Sequence, residues 1–180
     1  HRAERAKRMR AAGWGVLLVD YRSYGGNEGT PTEAGLIADA TAGLRWLTAH
    51  GVPHNRLLLW GESLGTGIAI RLASQHPVAA VLLEQPYTSI ADVAQTKYPF
   101  VPARPLVKDK FEALAYVPKI AAPIFVMHGD ADRLVPFAMG RAIAETGKAE
   151  LWIAKGAGHV DLSQFGAVEA AADFVQRRCR

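Results

Sequence analysis

The chain has almost no cysteine: Cys179 is the only one in 180 residues. A single thiol excludes a disulfide framework and cannot form a zinc site by itself. Cys179 also lies in an arginine-rich tail rather than on a turn after a strand, which makes it a poor nucleophile. The lack of paired cysteines weakly favours a reducing, cytoplasmic location.

Long apolar runs are missing too. No segment approaches the roughly 18 apolar residues that a membrane-spanning helix needs, and no signal peptide is visible. The chain begins with His1 and enters a helical pattern at once, as a fragment or a processed product would. An upstream anchor or signal would escape notice, so membrane association and oligomeric state stay open.

The excess of positive charge does not indicate a nucleic-acid partner. The net charge is +4, and much of the excess lies at the two ends, in residues 2–10 and 177–180. In both places the charges alternate with alanine or apolar residues, as on the solvent-exposed face of a helix. We therefore expect no nucleic-acid binding.

Short apolar runs alternate with helical patterns along the chain, and no hairpin turn separates them. This alternation predicts an α/β fold, with a mostly parallel sheet and helices on both faces. A length of 180 residues without a linker or an internal repeat predicts a single domain, 1–180. The predicted strands are 16–19, 57–60, 79–83, 124–127 and 151–154, and the predicted helices are 2–12, 31–50, 64–75, 136–146 and 162–178.

Residues 85–122 interrupt this rhythm with a long segment rich in proline and aromatic residues. A long irregular segment in a compact domain is usually functional or disordered, and the aromatic content argues against disorder. We expect a short cap or pocket wall over the site; a packed excursion without function is the alternative.

A pentapeptide with the pattern Gly-x-Ser-x-Gly, Gly61 to Gly65, stands between a predicted strand and a predicted helix. This is the nucleophile-elbow pattern, in which a strained turn lifts a serine hydroxyl above the sheet. The positive φ of the serine predicts that both flanking positions need residues without a bulky Cβ. Ser63 is the candidate nucleophile, and the N–H of Leu64 at the helix N-terminus is the candidate oxyanion donor.

A serine nucleophile needs a positioned base and an orienting acid. In a parallel sheet such partners lie in loops after later strands. His159 follows the last predicted strand and is the first choice for the base, whereas His128, at the end of the preceding strand, fits a structural role. The other histidines precede strands or lie at the chain terminus: His50, His54, His76 and His1.

Spacing leaves the acid open between Asp130 and Asp132, which both follow the fourth predicted strand. Asp161 is more simply the N-cap of the last helix, with Gln164 at the capping-box position. Asp39 lies near the apolar stripe of the second helix, and we expect a structural role for it.

Four motifs together resemble the α/β-hydrolase superfamily, most closely its Bem46-like and serine-aminopeptidase-like branch. They are Val-Asp-Tyr-Arg-Ser-Tyr-Gly (19–25), Gly-Glu-Ser-Leu-Gly (61–65), His-Gly-Asp-Ala-Asp-Arg-Leu-Val-Pro (128–136) and Gly-Ala-Gly-His-Val-Asp (156–161). The resemblance implies that Asp132 is the acid. It also implies that the N-terminal strands of the fold, and a His-Gly-rich loop carrying half of the oxyanion hole, are missing from this sequence.

These expectations combine into a serine hydrolase that cleaves small-molecule carboxylic esters through an acyl-enzyme intermediate. Ser63, His159 and Asp132 would form the triad, with no metal or cofactor. A peptidase, a thioesterase or a lipid acyl hydrolase would use the same triad, and a catalytically inert fragment is the remaining alternative.

Overall fold

The computed structural model describes residues 2–179. His1, which we set aside as terminal, and Arg180 of the basic tail lie outside the described residues.

A sheet of four parallel strands forms the centre of the molecule. The strands are β1 (Leu58–Glu62), β2 (Ala80–Glu84), β3 (Ile124–Gly129) and β4 (Glu150–Ala154), and they pair in the order β1-β2-β3-β4. The two central strands, β2 and β3, are buried along their whole length and read as continuous apolar runs, whereas β1 and β4 are mostly half-buried. The parallel sheet predicted from the sequence is confirmed.

Helices cover both faces of the sheet, as predicted. The helices are α1 (Arg2–Ala11), α2 (Glu33–Ala49), α3 (Leu64–Ala73), α4 (Ile90–Lys97), α5 (Ala103–Leu106), α6 (Ala113–Tyr116), α7 (Phe137–Thr146) and α8 (Ala167–Arg178), with 3₁₀ turns at His54–Arg56, Val117–Lys119 and Leu162–Phe165. Residues of β2 point alternately to the two sides: Val81 and Leu83 join a core with α2, α3 and α7. Ala80 and Leu82 join a second core that includes Phe174 of α8.

The prediction of a strand at 16–19 was wrong. Residues 14–20 form no regular strand, and the side chains of Leu17 and Leu18 are exposed. Val19 instead packs against Gly43 of α2. An apolar run becomes a strand only when a neighbouring strand completes its hydrogen-bond ladder. Within residues 2–179, the only strands joined by such ladders are β1, β2, β3 and β4.

The predicted C-terminal helix over 162–178 is interrupted. Gly166 has φ +91°, a left-handed conformation that ends the 3₁₀ turn Leu162–Phe165 before α8 begins. The turn places buried Leu162 in the core beside the sheet, close to the loop that carries His159.

The segment 85–122 folds into α4, α5 and α6 and is tied to the rest of the molecule by hydrogen bonds. Phe111 N–H donates to the carboxylate of Glu33, and Glu33 N–H donates to Asp109. Its aromatic residues divide into two groups: Tyr87 and Phe111 are buried against α3, whereas Phe100 is 99% exposed at the tip. That this segment is a cap or pocket wall stays a prediction.

Candidate active site

Ser63 occupies a strained turn between β1 and α3. Its φ of 49° and ψ of −117° lie in a region that L-residues rarely adopt. A Cβ at Gly61 would come within 2.4 Å of the carbonyl oxygen of Gly65, so this position requires glycine. At Gly65, in contrast, a Cβ would meet no heavy atom of the described chain within 4 Å. The steric requirement predicted for both glycines therefore holds only for Gly61.

His159 lies in the loop after β4 and faces the serine. Its Nε2 is 2.9 Å from Ser63 Oγ, and its Nδ1 is 2.7 Å from Asp132 Oδ2. Because an ionised carboxylate can only accept, Nδ1 carries the ring proton and Nε2 accepts from the serine hydroxyl. The structure thus brings together the three side chains selected from the sequence, although they lie on separate loops.

The carboxylate of Asp132 is buried and hydrogen bonded on several sides. Oδ1 accepts from the backbone N–H groups of Leu134 and Val135 at 2.8 and 2.9 Å. Burial alone would raise the pKa of Asp132, but hydrogen bonds from the His128 and His159 rings and from these N–H groups outweigh burial and hold the pKa well below its usual range. Asp132 is therefore ionised at neutral pH.

Asp130, the other candidate acid, makes a different contact. Its Oδ1 accepts from the N–H of Gly156 at 2.6 Å, which ties the loop after β3 to the loop after β4. His128 lies fully buried beside this loop, with Nε2 3.0 Å from the Val135 carbonyl oxygen. Asp132 is thus the aspartate of this loop that contacts His159.

Two further aspartates lie outside the triad. Asp39 accepts a bidentate interaction from Arg22, with Nη2 2.7 Å from Oδ1, and this hydrogen bonding lowers the pKa of Asp39. The capping prediction for Asp161 was wrong: its side chain caps no helix N–H, and Gln164 N–H instead bonds to the Asp161 backbone carbonyl.

An ion cluster of Arg5, Glu62 and Glu84 beneath the elbow is not visible in the sequence pattern; of the three, only Glu84 is buried. Arg5 of α1 donates to Glu62 at 2.9 Å and to Glu84 at 3.1 Å, and Trp60 Nε1 donates to Glu84 at 2.6 Å. Burial raises the pKa of Glu84 to about 7, against the opposing charge of Arg5. A glutamate that ends an apolar run was the one signal in the sequence that could have pointed to it.

Leu64 is the first residue of α3. The first N–H groups of a helix have no intrahelical acceptor and point out of its N-terminus, toward the side where the helix dipole favours negative charge. An anion close to both the Ser63 hydroxyl and the N-terminus of α3 would therefore be stabilised.

Among residues 2–179, no group of three or more His, Cys, Asp or Glu side chains is arranged to hold a metal ion. In the same part of the chain, every helix is too short or too polar to cross a membrane.

Known proteins resemble this chain in sequence and in fold. No protein-family model matches the chain. It is 40% identical over 163 residues to an uncharacterised protein of Mycobacterium tuberculosis, covering 89% of this chain and 58% of that protein. It is 34% identical over 171 residues to human alpha/beta hydrolase domain-containing protein 17B, covering 90% of this chain and 56% of that protein. The chain thus spans little more than half the length of these relatives.

A solved structure, the Pyrococcus furiosus esterase Pf2001, superposes with a TM-score of 0.79 at 24% identity, covering 100% of this chain and 77% of that one. The likeness concerns the fold: a parallel sheet with helices on both sides. The fold, the strained serine turn and the similarity to these relatives show that the chain belongs to the α/β-hydrolase superfamily.

Proposed function

We propose that the chain is a serine hydrolase that cleaves small-molecule carboxylic esters through an acyl-enzyme intermediate. The observation that carries the proposal is the unbroken relay from Ser63 Oγ through the His159 ring to buried Asp132, with contacts of 2.9 and 2.7 Å. A serine hydroxyl is a weak nucleophile, and such a relay is the arrangement that activates it.

In the first half-reaction, Ser63 Oγ attacks the ester carbonyl while its proton passes to His159 Nε2. Asp132 keeps Nδ1 protonated and stabilises the imidazolium that forms. The same imidazolium then donates its proton to the departing alkoxide, which leaves as the alcohol. In the second half, water attacks the acyl-enzyme, gives its proton to His159, and the proton returns to Ser63 as the acid leaves.

The developing oxyanion needs donors that are already oriented. We assign the Leu64 N–H to this role, because it begins α3 directly after the nucleophile. One such donor is worth about 10²- to 10³-fold in rate.

Esters are preferred over amides in this proposal on two grounds. An ester carbonyl is the more electrophilic, and its alkoxide leaves without the strong protonation that an amine requires. The Pyrococcus protein that shares the fold is named an esterase.

The test is covalent labelling of the 180-residue chain by a fluorophosphonate. We expect labelling of the wild type at Ser63, none in Ser63→Ala, and unchanged labelling in the control Ser74→Ala. The control hydroxyl lies at the other end of α3 and bonds to the Arg71 carbonyl. Labelling that persists in Ser63→Ala would show that the reactive group lies elsewhere.

A substrate panel separates the alternatives. Turnover of short p-nitrophenyl esters without turnover of aminoacyl-naphthylamides supports the esterase, whereas turnover of the amides would replace it with a peptidase. Faster turnover of acyl thioesters would indicate a thioesterase, and faster turnover of monoacyl lipids a lipid acyl hydrolase. No burst and no turnover with any substrate would contradict the proposal in favour of an inert module.

A further inference from the structure

Gln85, the residue directly after β2, combines a strained backbone with a buried side chain. Its φ is +48°, and the residue is 1% exposed. A left-handed conformation is unfavourable for an L-residue, because it brings Cβ too close to the following carbonyl oxygen. Such strain persists only where the surroundings fix it, and it is concentrated at functional sites.

The side chain of Gln85 reaches the loop that carries His159. Its Nε2 lies 3.2 Å from the carbonyl oxygen of Gly158, 73 residues further along the chain. Because a carbonyl oxygen only accepts, the amide NH₂ group must face Gly158. Gly158 immediately precedes His159, so this bond holds the peptide from which the imidazole projects.

The backbone at the end of β2 contacts the serine turn as well. The Glu84 carbonyl oxygen accepts from Ser63 N–H at 2.9 Å, and Gln85 N–H donates to the Met127 carbonyl of β3 at 2.8 Å. Two consecutive residues therefore connect the nucleophile turn, the neighbouring strand and the histidine loop.

Other hydrogen bonds hold the backbone of the loop that carries His159 only as far as Ala157. Asp130 holds the N–H of Gly156, and Ala131 N–H donates to the Ala157 carbonyl at 3.1 Å. In the described part of the chain, the bond from Gln85 is the last hydrogen bond to the loop backbone before His159. Val160, on the far side of the histidine, is 68% exposed.

Burial alone does not explain a glutamine at this position. Its Oε1 is buried and has no hydrogen-bond partner among residues 2–179, and an unsatisfied buried acceptor destabilises the folded state. An apolar side chain of the same size would avoid that penalty and would lose only the hydrogen bond to Gly158.

We propose that Gln85 is a positioning residue: its hydrogen bond to Gly158 sets the distance and angle at which His159 meets Ser63. This inference rests on the proposed hydrolase function of the same site, and Gln85 itself does not contact the reacting atoms.

The test compares Gln85→Met with Gln75→Met. Methionine keeps the length and volume of glutamine but removes the donor. Gln75 is the control, because it takes the same substitution at an exposed position just after α3, at the end of that helix far from Ser63. We expect Gln85→Met to lower kcat for a p-nitrophenyl ester, and the rate of fluorophosphonate labelling, by about 10- to 100-fold with little change in KM. Gln75→Met should leave kcat and the labelling rate near those of the wild type.

A second measurement reports on geometry without turnover. The proton on His159 Nδ1, bonded to Asp132, gives a low-field ¹H resonance that we expect to shift or broaden in Gln85→Met and to stay in place in Gln75→Met. If Gln85→Met does not fold, Gln85→Asn replaces it, since asparagine tolerates the left-handed backbone but is one methylene too short to reach Gly158.

Failure of this inference is distinguishable from failure of the proposed function. A folded Gln85→Met protein with wild-type labelling and an unmoved resonance would overturn the positioning role and leave the hydrolase intact. A wild-type chain that is not labelled at Ser63 would overturn the hydrolase; the resonance alone then decides whether Gln85 positions His159.

Discussion

At the scale of single residues, Asp132 is distinguished by how completely its oxygens are occupied. Two backbone N–H groups bind Oδ1, and the His159 ring binds Oδ2. A carboxylate held in this way keeps its charge and orientation, and it thereby decides which nitrogen of His159 carries the proton.

We predict that Asp132→Asn lowers kcat by about 10⁴-fold, because an amide NH₂ facing Nδ1 favours the ring tautomer that cannot accept the serine proton. The rate of fluorophosphonate labelling is the measurement. Asp130→Asn is the control, since its retained Oδ1 still accepts from Gly156 N–H. Equal rates in the two variants would remove Asp132 from the proposed mechanism.

The residues selected for the site from the sequence share one property: each lies in a loop that follows an apolar run, at the edge of the sheet where parallel strands end. That order is visible in the chain, so Ser63 and His159 could be selected from position alone, whereas the choice of Asp132 over Asp130 came from the resemblance to the α/β-hydrolase superfamily. The roles of Gln85 and Glu84 could not be predicted, because they come from partners far away in the sequence, at Gly158 and Arg5. The apolar run before Glu84 marks its burial, but no local pattern identifies these partners.

At the scale of elements, the turn between β1 and α3 depends on the close approach of two peptide groups. The position of Gly61 leaves no room for a side chain against the Gly65 carbonyl, whereas Gly65 faces open space in the described chain. Sterics therefore require glycine at position 61 of the pattern but not at position 65.

Gly61→Ala should lower the free energy of unfolding by about 1–3 kcal/mol, as an overpacked methyl group does. Gly65→Ala should be neutral or slightly stabilising, because alanine is the better helix former in the first turn of α3. Urea denaturation of both variants tests this contrast, and a Gly65→Ala loss as large as that of Gly61→Ala would contradict it.

The helices α1, α2, α3 and α7 and the four paired strands were predictable from the sequence to within a few residues, because periodicity and burial both follow from local composition. The short helices α4, α5 and α6 were not predicted, since the prolines of the segment 85–122 hide any helical period. The run 16–19 was not, since the same apolar residues form a strand or an irregular extended segment according to what lies beside them. Its exposed Leu17 and Leu18 show that hydrophobicity alone did not decide the outcome.

At the scale of the whole molecule, the ion cluster of Arg5, Glu62 and Glu84 connects α1 to β1 and β2, the two strands beneath the serine. Glu84 is 1% exposed and its pKa is raised to about 7 from an ordinary value of 4.5, chiefly by burial. The folded state therefore holds this proton more tightly than the unfolded state does, and the associated stability is fully present below about pH 4.5 and is lost as the pH rises through about 7.

We predict that Glu84→Gln removes part of the pH dependence of unfolding between pH 5 and 8. Between pH 5 and 8, the free energy of unfolding of Glu84→Gln minus that of the wild type should increase by about 2 kcal/mol. Denaturation at several pH values measures it, and the double difference cancels the titration of groups common to both proteins. A difference that stays constant with pH would show that Glu84 titrates below this range in the folded protein.

The left-handed backbone of Ser63 has a consequence for how such a chain changes over generations. Serine pays a conformational penalty at φ 49° that glycine would not. Selection for catalysis and selection for folding therefore oppose each other at this position, and replacement by glycine becomes favourable once catalysis is no longer needed. In a lineage that has lost its substrate, the nucleophile would be among the first positions to drift, while Gly61 beside it stays fixed by sterics.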